Sequence, residues 1–330
     1  MTMPLNRRAA LLAITLLCLS PAVHATDTKT YPDRPVRLLV GYAPGGTADV
    51  AARAVAKELS VIWKESVVVE NRPGADGLLA VTTVARAAPD GYTLLSAPSN
   101  IWSIFPHMYP KAPANAAHDL APVGTIGYGP LVIAANVKAP FHTLPELVKY
   151  AKANPGKVTF GVPGAASVHR MAGEKLAMLA NVKMINVPYK GSALAVQDLA
   201  GGRIDIIYAA LPSVLPLVQL GKIRILAVTS PQRIQELPNV PSVKEFYPNW
   251  GNAFSTYHGI YVPVATPRKI IDTINAALEK AVDSATVKKV LSINGIVPKA
   301  SSTDEFKAFL DDNYKEFAQI FEQVKINPTQ

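Results

Sequence analysis

Cysteine is almost absent from this sequence, and its scarcity excludes several kinds of chemistry. The only cysteine of the 330 residues is Cys18, which lies inside an apolar run from Ala9 to Leu19. A mature chain without that run has no disulfide, no thiolate metal ligand and no cysteine nucleophile. Lipid attachment at Cys18 is disfavoured too, because a bulky Leu17 precedes it.

Apolar runs long enough to cross a bilayer are also missing, since the run of residues 9–19 is too short for a spanning helix. It follows Arg7 and Arg8 and is succeeded by AVHA at residues 22–25. This order is typical of a secretory signal peptide cleaved after Ala25. The Sec route is preferred, and the paired arginines leave the twin-arginine route open. We therefore expect a soluble periplasmic protein beginning near residue 26.

The chain lacks a concentrated stripe of positive charge. Its formal net charge is +9, and removal of Arg7 and Arg8 leaves +7. The basic residues are scattered over predicted helices without interleaved aromatics, which disfavours nucleic-acid binding. A modest positive field that attracts small anions to a monomer is the better interpretation.

Catalytic and metal motifs are not visible either. The mature chain has five histidines without metal-ligand spacing, and no serine has the Gly-x-Ser-x-Gly surroundings of a nucleophile elbow. We expect no metal and no cofactor, and an enzyme is disfavoured, although a spatial triad leaves no sequence motif. The histidines are His107, His118, His142, His169 and His258.

What the chain does contain is an alternation of apolar strands and amphipathic helices, which predicts an α/β fold with buried parallel strands. The first series has strands at 36–42, 67–70 and 92–97, and helices at 47–63 and 77–87. The second has strands at 131–135, 158–162, 184–187, 204–208 and 223–228, and helices at 143–153, 168–179 and 194–199. A strand at 259–262 and helices at 267–291 and 303–324 complete the chain.

The restart of the pattern predicts two lobes joined by two crossings of the chain. We place these crossings near residues 125–129 and 251–255, where small residues can act as hinges. Residues 26–127 and 254–330 would then form the first lobe, and residues 128–253 the second.

Two glycine-rich segments join a strand to a helix, one in each predicted lobe. They are GYAPGGTAD at residues 41–49 and FGVPGAASVH at residues 160–169. Glycine lets the backbone approach a ligand closely, and Thr47 and Ser167 are candidate helix caps. The exposed N–H groups at a helix start favour an anion, so the two loops can hold the two ends of one carboxylate ligand.

Further short motifs follow the same order as in a known family, over nearly the whole mature chain. The chain resembles the Bug-type receptors of tripartite tricarboxylate transporters. The motifs are YPDRPV at 31–36, VENRPGA at 69–75, PDGYT at 89–93, YAKANPG at 150–156, VPYKG at 187–191 and LPNVP at 237–241.

This resemblance implies a two-lobed periplasmic-binding-protein fold of type II, a Venus flytrap whose lobes are mostly parallel sheets flanked by helices. It also implies that backbone amides of the two loops hold ligand carboxylates. The binding residues carried over to this chain, together with strand-end residues of both lobes, are Tyr42, Ala43, Gly45, Gly46, Thr47, Ser96, Ser99, Gly161, Val162, Gly164, Ala165, Ala166, Ser167, His169, Tyr189, Lys190, Asp205 and Tyr208.

Several nearby side chains have supporting roles in this interpretation. Asp49 would repel a carboxylate, so we expect it to cap the helix, with Arg53 bracing it. Trp102 and Phe105 are expected to pack in the protein, although they could stack on an aromatic acid. His169 is a candidate for titration near neutral pH.

The sequence therefore predicts a non-catalytic receptor that delivers a small organic carboxylate to membrane transporter subunits. Two alternatives remain: a ligand-sensing subunit for a membrane histidine kinase, and a hydrolase or isomerase acting on carboxylates. The ligand itself is open among dicarboxylates, tricarboxylates, amino acids and aromatic acids.

Overall fold

The computed structural model of the protein describes residues 31–189 and 191–326. The predicted signal peptide, residues 1–25, and the predicted ligand-binding residue Lys190 lie outside these residues. Within the described ranges, no helix combines the length and the apolar character that a membrane span requires.

The first lobe is built on a sheet in the order β2-β1-β3-β9-β4. Strand β1 pairs in parallel with β2 and β3, whereas β9 pairs antiparallel with β3 and β4, and a short β10 pairs antiparallel with β4. The strands are β1 (Val36–Val40), β2 (Val67–Asn71), β3 (Thr93–Pro98), β4 (Leu120–Asn136), β9 (Ser255–Pro263) and β10 (Val297–Pro298).

The second lobe is built on a sheet in the order β4-β7-β5-β6, with β8 also paired to β4. Strand β5 is parallel to β6 and β7, and β4 is antiparallel to β7 and β8. Both sheets are thus mixed, and the expectation of mostly parallel sheets holds only for their βαβ parts. The remaining strands are β5 (Thr159–Val162), β6 (Ile185–Pro188), β7 (Ile206–Ala210) and β8 (Ile223–Val228).

Helices cover the faces of these sheets, as continuous apolar strands require. Four of them were not predicted, three short ones between residues 100 and 119 and one at residues 211–219. The helices are α1 (Thr47–Trp63), α2 (Leu78–Ala85), α3 (Asn100–Ser103), α4 (Phe105–Met108), α5 (Ala116–Asp119), α6 (Leu144–Ala153), α7 (Val168–Ala180), α8 (Ser192–Ala200), α9 (Leu211–Gln219), α10 (Arg268–Asp283), α11 (Ala285–Ile293) and α12 (Thr303–Val324).

Strand β4 belongs to both sheets, and this continuity differs from the sequence prediction of a strand at 131–135 alone. Residues 120–130 pair with β9, and residues 131–136 pair with β7 and β8. The predicted crossing at residues 125–129 is therefore a bulged part of one strand rather than a loop. The division of the chain at residues 127 and 254 remains a prediction.

A capping serine divides the segment at residues 268–293 into two helices. The sequence predicted one helix over residues 267–291, but the helix ends at Asp283 and α11 begins after Ser284. Ser284 has an extended backbone, and its hydroxyl accepts a hydrogen bond from the N–H of Val287. A serine that caps the next helix interrupts the ladder of the first, so the prediction of a single helix was wrong.

Glycine in β9 is required by the packing of α12 on the first sheet. A Cβ atom on Gly259 would lie 2.4 Å from the ring of Phe306, and that ring is buried. We expect Gly259→Ala to lower the free energy of unfolding by about 1–3 kcal/mol, because overpacked cores must shift backbone or rotamers. Urea unfolding of the purified protein measures this change.

Gly129→Ala is the matched control on the neighbouring strand, where the added Cβ would lie at ordinary contact distances of 3.5 Å from the carbonyl oxygen of Gly295 and 4.0 Å from that of Thr256. This variant should be neutral or slightly stabilised, since alanine restricts the unfolded chain. Equal losses in the two variants would contradict the packing explanation.

Candidate ligand-binding cleft

A cavity of about 260 Å³ lies between the two lobes, where loops from both sheets face each other. Ligand pockets of proteins span roughly 300–1,000 Å³, so this volume suits a small metabolite. The cavity is lined by Tyr42, Gly46, Thr47, Ala48, Asp76, Pro98, Ser99, Asn100, Pro163, Gly164, Ala166, Ser167, Val168, His169, Thr256 and His258.

The first glycine loop connects β1 to α1 and leaves the start of that helix open toward the cavity. Gly46 is the residue that caps α1, and it provides no side-chain acceptor for the first helical N–H groups. Thr47 is the first helical residue, so the prediction that Thr47 caps the helix was wrong. Unpaired N–H groups at a helix start carry partial positive charge.

Asp49 holds this loop from inside the protein. Its Oδ2 atom accepts hydrogen bonds from the N–H of Gly45 at 2.9 Å and from Nε of Arg53 at 3.0 Å. Its Oδ1 atom accepts one from Nδ2 of Asn71 at 2.7 Å. Burial alone would raise the pKa of Asp49, but the hydrogen bonds from Arg53, Gly45 and Asn71 hold that pKa below its ordinary value.

Because its charge is directed to Arg53 and to these donors, Asp49 stays ionised without facing the cavity as an unpaired anion. Arg53 also donates through Nη2 to Oδ1 of Asn71 at 2.7 Å, which ties α1 to the end of β2. The contact between Arg53 and Asp49 is the one expected from the sequence.

The second glycine loop connects β5 to α7. Ser167 caps α7, as predicted: its Oγ accepts a hydrogen bond from the N–H of Arg170 and donates one to the carbonyl oxygen of Gly164 at 2.8 Å. The φ angle of Gly164 is +158°, and a Cβ there would have no neighbour within 4 Å. This loop thus presents backbone and the start of a helix, with little side chain, to the cavity.

A hydrogen bond from Asn100 to the second loop joins the lobes across the cavity. Nδ2 of Asn100, at the start of α3, donates to the carbonyl oxygen of Ala166 at 3.0 Å. The other amide atom of this side chain, Oδ1, is buried and has no hydrogen-bond partner among the described residues. Asn100 therefore connects the two loops and still offers an acceptor.

Two neutral histidines lie at the cavity. Burial lowers the pKa of both His169 and His258 to about 4, so neither is protonated near pH 7. The expectation that His169 titrates near neutral pH was therefore wrong. Nδ1 of each ring is buried and has no partner among the described residues. A neutral imidazole offers one donor and one acceptor.

Eight of the 18 predicted binding residues line the cavity, and most of these belong to the two glycine loops. The residues that line it are Tyr42, Gly46, Thr47, Ser99, Gly164, Ala166, Ser167 and His169. Those outside its lining are Ala43, Gly45, Ser96, Gly161, Val162, Ala165, Tyr189, Asp205 and Tyr208.

Asp205 and Tyr208 were predicted to bind the ligand, but both have structural roles away from the cavity. Asp205 precedes β7, and its Oδ2 accepts hydrogen bonds from the N–H and the hydroxyl of Thr159, the first residue of β5. It is therefore at the edge of the sheet opposite the second loop. Tyr208 lies within β7, is fully buried and packs edge-on against Phe160 with ring centroids 5.9 Å apart.

Three other predicted residues lie within strands and pack in the protein, and a fourth, which follows β6, is engaged in a hydrogen bond. A Cβ on Gly161 would lie 2.5 Å from Ile204, which explains the glycine without a ligand. Val162 is fully buried and Ser96 is buried within β3. The hydroxyl of Tyr189 donates to Oδ2 of Asp198 at 2.8 Å.

The aromatic residues near the loops pack in the core and do not line the cavity. Trp102 and Phe105 are each 3 % exposed, and Trp102 stacks on Tyr261 with ring centroids 6.3 Å apart. This confirms the packing role preferred from the sequence, and neither side chain lines the cavity.

Some residues of the cavity were missed by sequence reasoning. Thr256 and His258 lie on β9, for which the sequence predicted a start only at residue 259. Had the strand been extended to its true start at Ser255, the two-residue alternation would have placed both side chains on one face. Asp76 and Asn100 follow predicted strands but had no motif of their own.

The buried His258 makes stability depend on pH. It is 4 % exposed, and its folded-state pKa of about 4 lies below the ordinary value near 6.5. The unfolded chain therefore binds the extra proton first, and stability is lost as the pH falls from about 6.5 toward 4. We expect His258→Gln to reduce the dependence of the unfolding free energy on pH by up to about 1.4 kcal/mol per pH unit in that window.

Urea unfolding of both proteins at several pH values measures the two slopes. Above pH 7 the two curves should run parallel, because His258 is neutral in both states there. His107 and His169, whose pKa values burial also lowers, contribute equally to both proteins. Identical slopes between pH 6.5 and 4 would contradict this assignment.

Comparison with known proteins finds relatives over nearly the whole chain. A UPF0065 protein of Bordetella bronchiseptica is 35% identical over 97% of this chain and 94% of its own length. Protein BugT of Bordetella pertussis is 33% identical over 89% and 90% of the two chains. A solved R. palustris structure with adipate is 28% identical, covers 91% of this chain and all of its own, and has a TM-score of 0.79.

Residues 51–326 match the family described as the tripartite tricarboxylate transporter family receptor. This match covers most of the chain and confirms the resemblance read from the short motifs. The protein belongs to the receptor family of the tripartite tricarboxylate transporters.

Proposed function

We propose that this receptor binds a small organic carboxylate between its lobes in the periplasm and presents it to the membrane subunits of a tripartite transporter. The observation that carries the proposal is the pair of helix starts, α1 from one lobe and α7 from the other, that face one cavity. Partial positive charge at both ends of a small cavity favours an anion with acceptor groups at its ends.

The side chains at the cavity support recognition by hydrogen bonds rather than by paired charges. Among the described lining residues there is no lysine or arginine, and both histidines are neutral near pH 7. The N–H groups of the helix starts, with the hydroxyls of Thr47 and Ser99, are left to hold the carboxylate. Backbone donors of this kind are fixed in direction before the ligand arrives.

We also propose that the cleft is not catalytic. The one serine at the start of α7, Ser167, donates its proton to the carbonyl oxygen of Gly164. Its hydroxyl is thus committed to the loop, and no described histidine accepts from it. Asp49 is likewise committed to Arg53 and Asn71. These groups build the loops instead of activating a nucleophile.

A thermal-shift panel of adipate, glutarate, succinate, citrate, glutamate and aspartate tests the ligand class. At least one of these should raise the melting temperature, because a ligand at 100 times its Kd stabilises the native state by about 2.7 kcal/mol. Adipamide, the uncharged analogue of adipate, should give no shift. NMR of the recovered ligand should show it unchanged. The proposal fails if no carboxylate shifts the melting temperature or if the ligand is turned over.

Substitution of Gly46 tests the first loop. Its φ of −77° is open to any residue, and an added Cβ would meet only the carbonyl oxygen of Ala43 at 3.6 Å. Gly46→Val should therefore fold, while its branched side chain at the cavity keeps the carboxylate from the helix start. We expect calorimetry with the tightest-binding panel member to show an affinity at least a hundredfold lower.

Ala285→Val is the matched control, since Ala285 is the exposed first residue of α11 and does not line the cavity. Circular dichroism should show that both variants keep the native fold. Unchanged affinity in Gly46→Val would count against the loop as the carboxylate site.

A further inference from the structure

The cavity is chemically asymmetric: the helix starts offer hydrogen-bond donors, and the side that contains Asp76 and Asn100 offers acceptors. Asp76 is the only aspartate or glutamate among the described residues that line the cavity. Oδ2 of Asp76 accepts a hydrogen bond from the hydroxyl of Tyr109 at 2.7 Å. Among the described residues, no side chain forms a salt bridge with Asp76 and none donates to its Oδ1. The carboxyl group of Asp76 is thus held by Tyr109 through one oxygen, and its other oxygen accepts no hydrogen bond from a described residue.

The backbone at Asp76 is held in a conformation that residues with a side chain rarely adopt. Ala75 and Asp76 have φ angles of 47° and 54°. Such left-handed positions cost energy and persist where the surroundings impose them, often at ligand sites. Here the hydroxyl of Tyr42 donates to the carbonyl oxygen of Asp76 at 3.1 Å, while Tyr109 holds the carboxylate. Backbone and side chain are therefore positioned by separate contacts.

Asn100 adds a second acceptor to the same side. Its Nδ2 is engaged with Ala166, which leaves Oδ1 directed away from that bond, buried and without a partner among the described residues. Asn100 also lies beside the hydroxyl of Tyr42, the residue that contacts Asp76. Asp76 and Asn100 thus flank Tyr42, and both offer oxygen atoms that only a donor can satisfy.

These acceptors do not suit a ligand that carries only carboxylates. A carboxylate placed near Asp76 would be repelled, since no cationic side chain lines the described cavity. A protonated amine reverses the sign of this interaction, and its three N–H donors can serve both oxygens. The helix starts of α1 and α7 remain available for the other, anionic end of the same molecule.

We propose that the ligand is a zwitterionic amino carboxylate, whose carboxylate meets the helix starts and whose ammonium group binds Oδ1 of Asp76 and Oδ1 of Asn100. This inference rests on the proposed carboxylate-binding function and specifies its ligand class. Asp76 is then a specificity-determining residue, because it penalises the analogue that has no amine.

Matched ligand pairs test the ammonium subsite by calorimetry at pH 7 and low ionic strength. The pairs are 2-aminoadipate with adipate, glutamate with glutarate, aspartate with succinate, and 4-aminobutyrate with butyrate. The wild-type protein should bind the amino member of at least one pair at least tenfold more tightly. Asp76→Asn should reduce that ratio at least tenfold, since the amide keeps the shape and the acceptor for Tyr109 but loses the charge.

Asp312→Asn is the control for net charge, because Asp312 is an exposed residue of α12 that does not line the cavity. It should keep the wild-type ratio. Equal or tighter binding of the amine-free members, or a preference that survives Asp76→Asn, overturns the ammonium subsite while the carboxylate function stands. If no member of any pair binds, the proposed function fails together with this inference.

Discussion

The continuity of β4 across both sheets is the constraint from which the geometry of the cleft follows. One strand pairs with β9 in the first lobe and with β7 and β8 in the second. In each lobe a parallel pair, β1 with β3 and β5 with β7, sends its carboxyl end toward the same gap. Ligands of open α/β sheets bind at this end of the strands, and here two such ends share one cavity.

The electrostatics of the cleft follow from which groups the loops leave unpaired. Glycine at the cap of α1 supplies no acceptor, so helical N–H groups face the cavity, and Asp49 stabilises the loop from behind. Ser167 accepts from only one N–H of α7. Donors thus come from backbone and acceptors from Asp76 and Asn100, a division that orients a ligand with unlike ends more strongly than one with like ends.

The sequence was most informative where structure is decided locally. Helices α1 and α12 and strand β8 have the predicted bounds, because apolar periodicity is strong and local in these segments. The glycine loops were found for the same reason. His258 and Asn100 reach the cavity only through the pairing of β9 and the turn after β3. Asp205 was misplaced because it precedes β7, whereas the cavity lies at the carboxyl ends of β5 and β7.

Contacts outside the cavity also join the two lobes. Besides the bond from Asn100 to Ala166, Nζ of Lys175 on α7 lies 3.6 Å from Oε1 of Glu316 on α12, so a helix of the second lobe is paired with one of the first. Burial raises the pKa of Glu316, although the attraction of Lys175 opposes this. The net gain from this largely buried pair is small, because desolvation offsets much of the attraction. A ligand shifts the equilibrium between open and closed lobes only by its preference for the closed form. Asn100 donates to Ala166 of the second loop and also offers Oδ1 to the cavity. A ligand amine that binds this Oδ1 would hold the Asn100 side chain in the position from which it joins the two lobes.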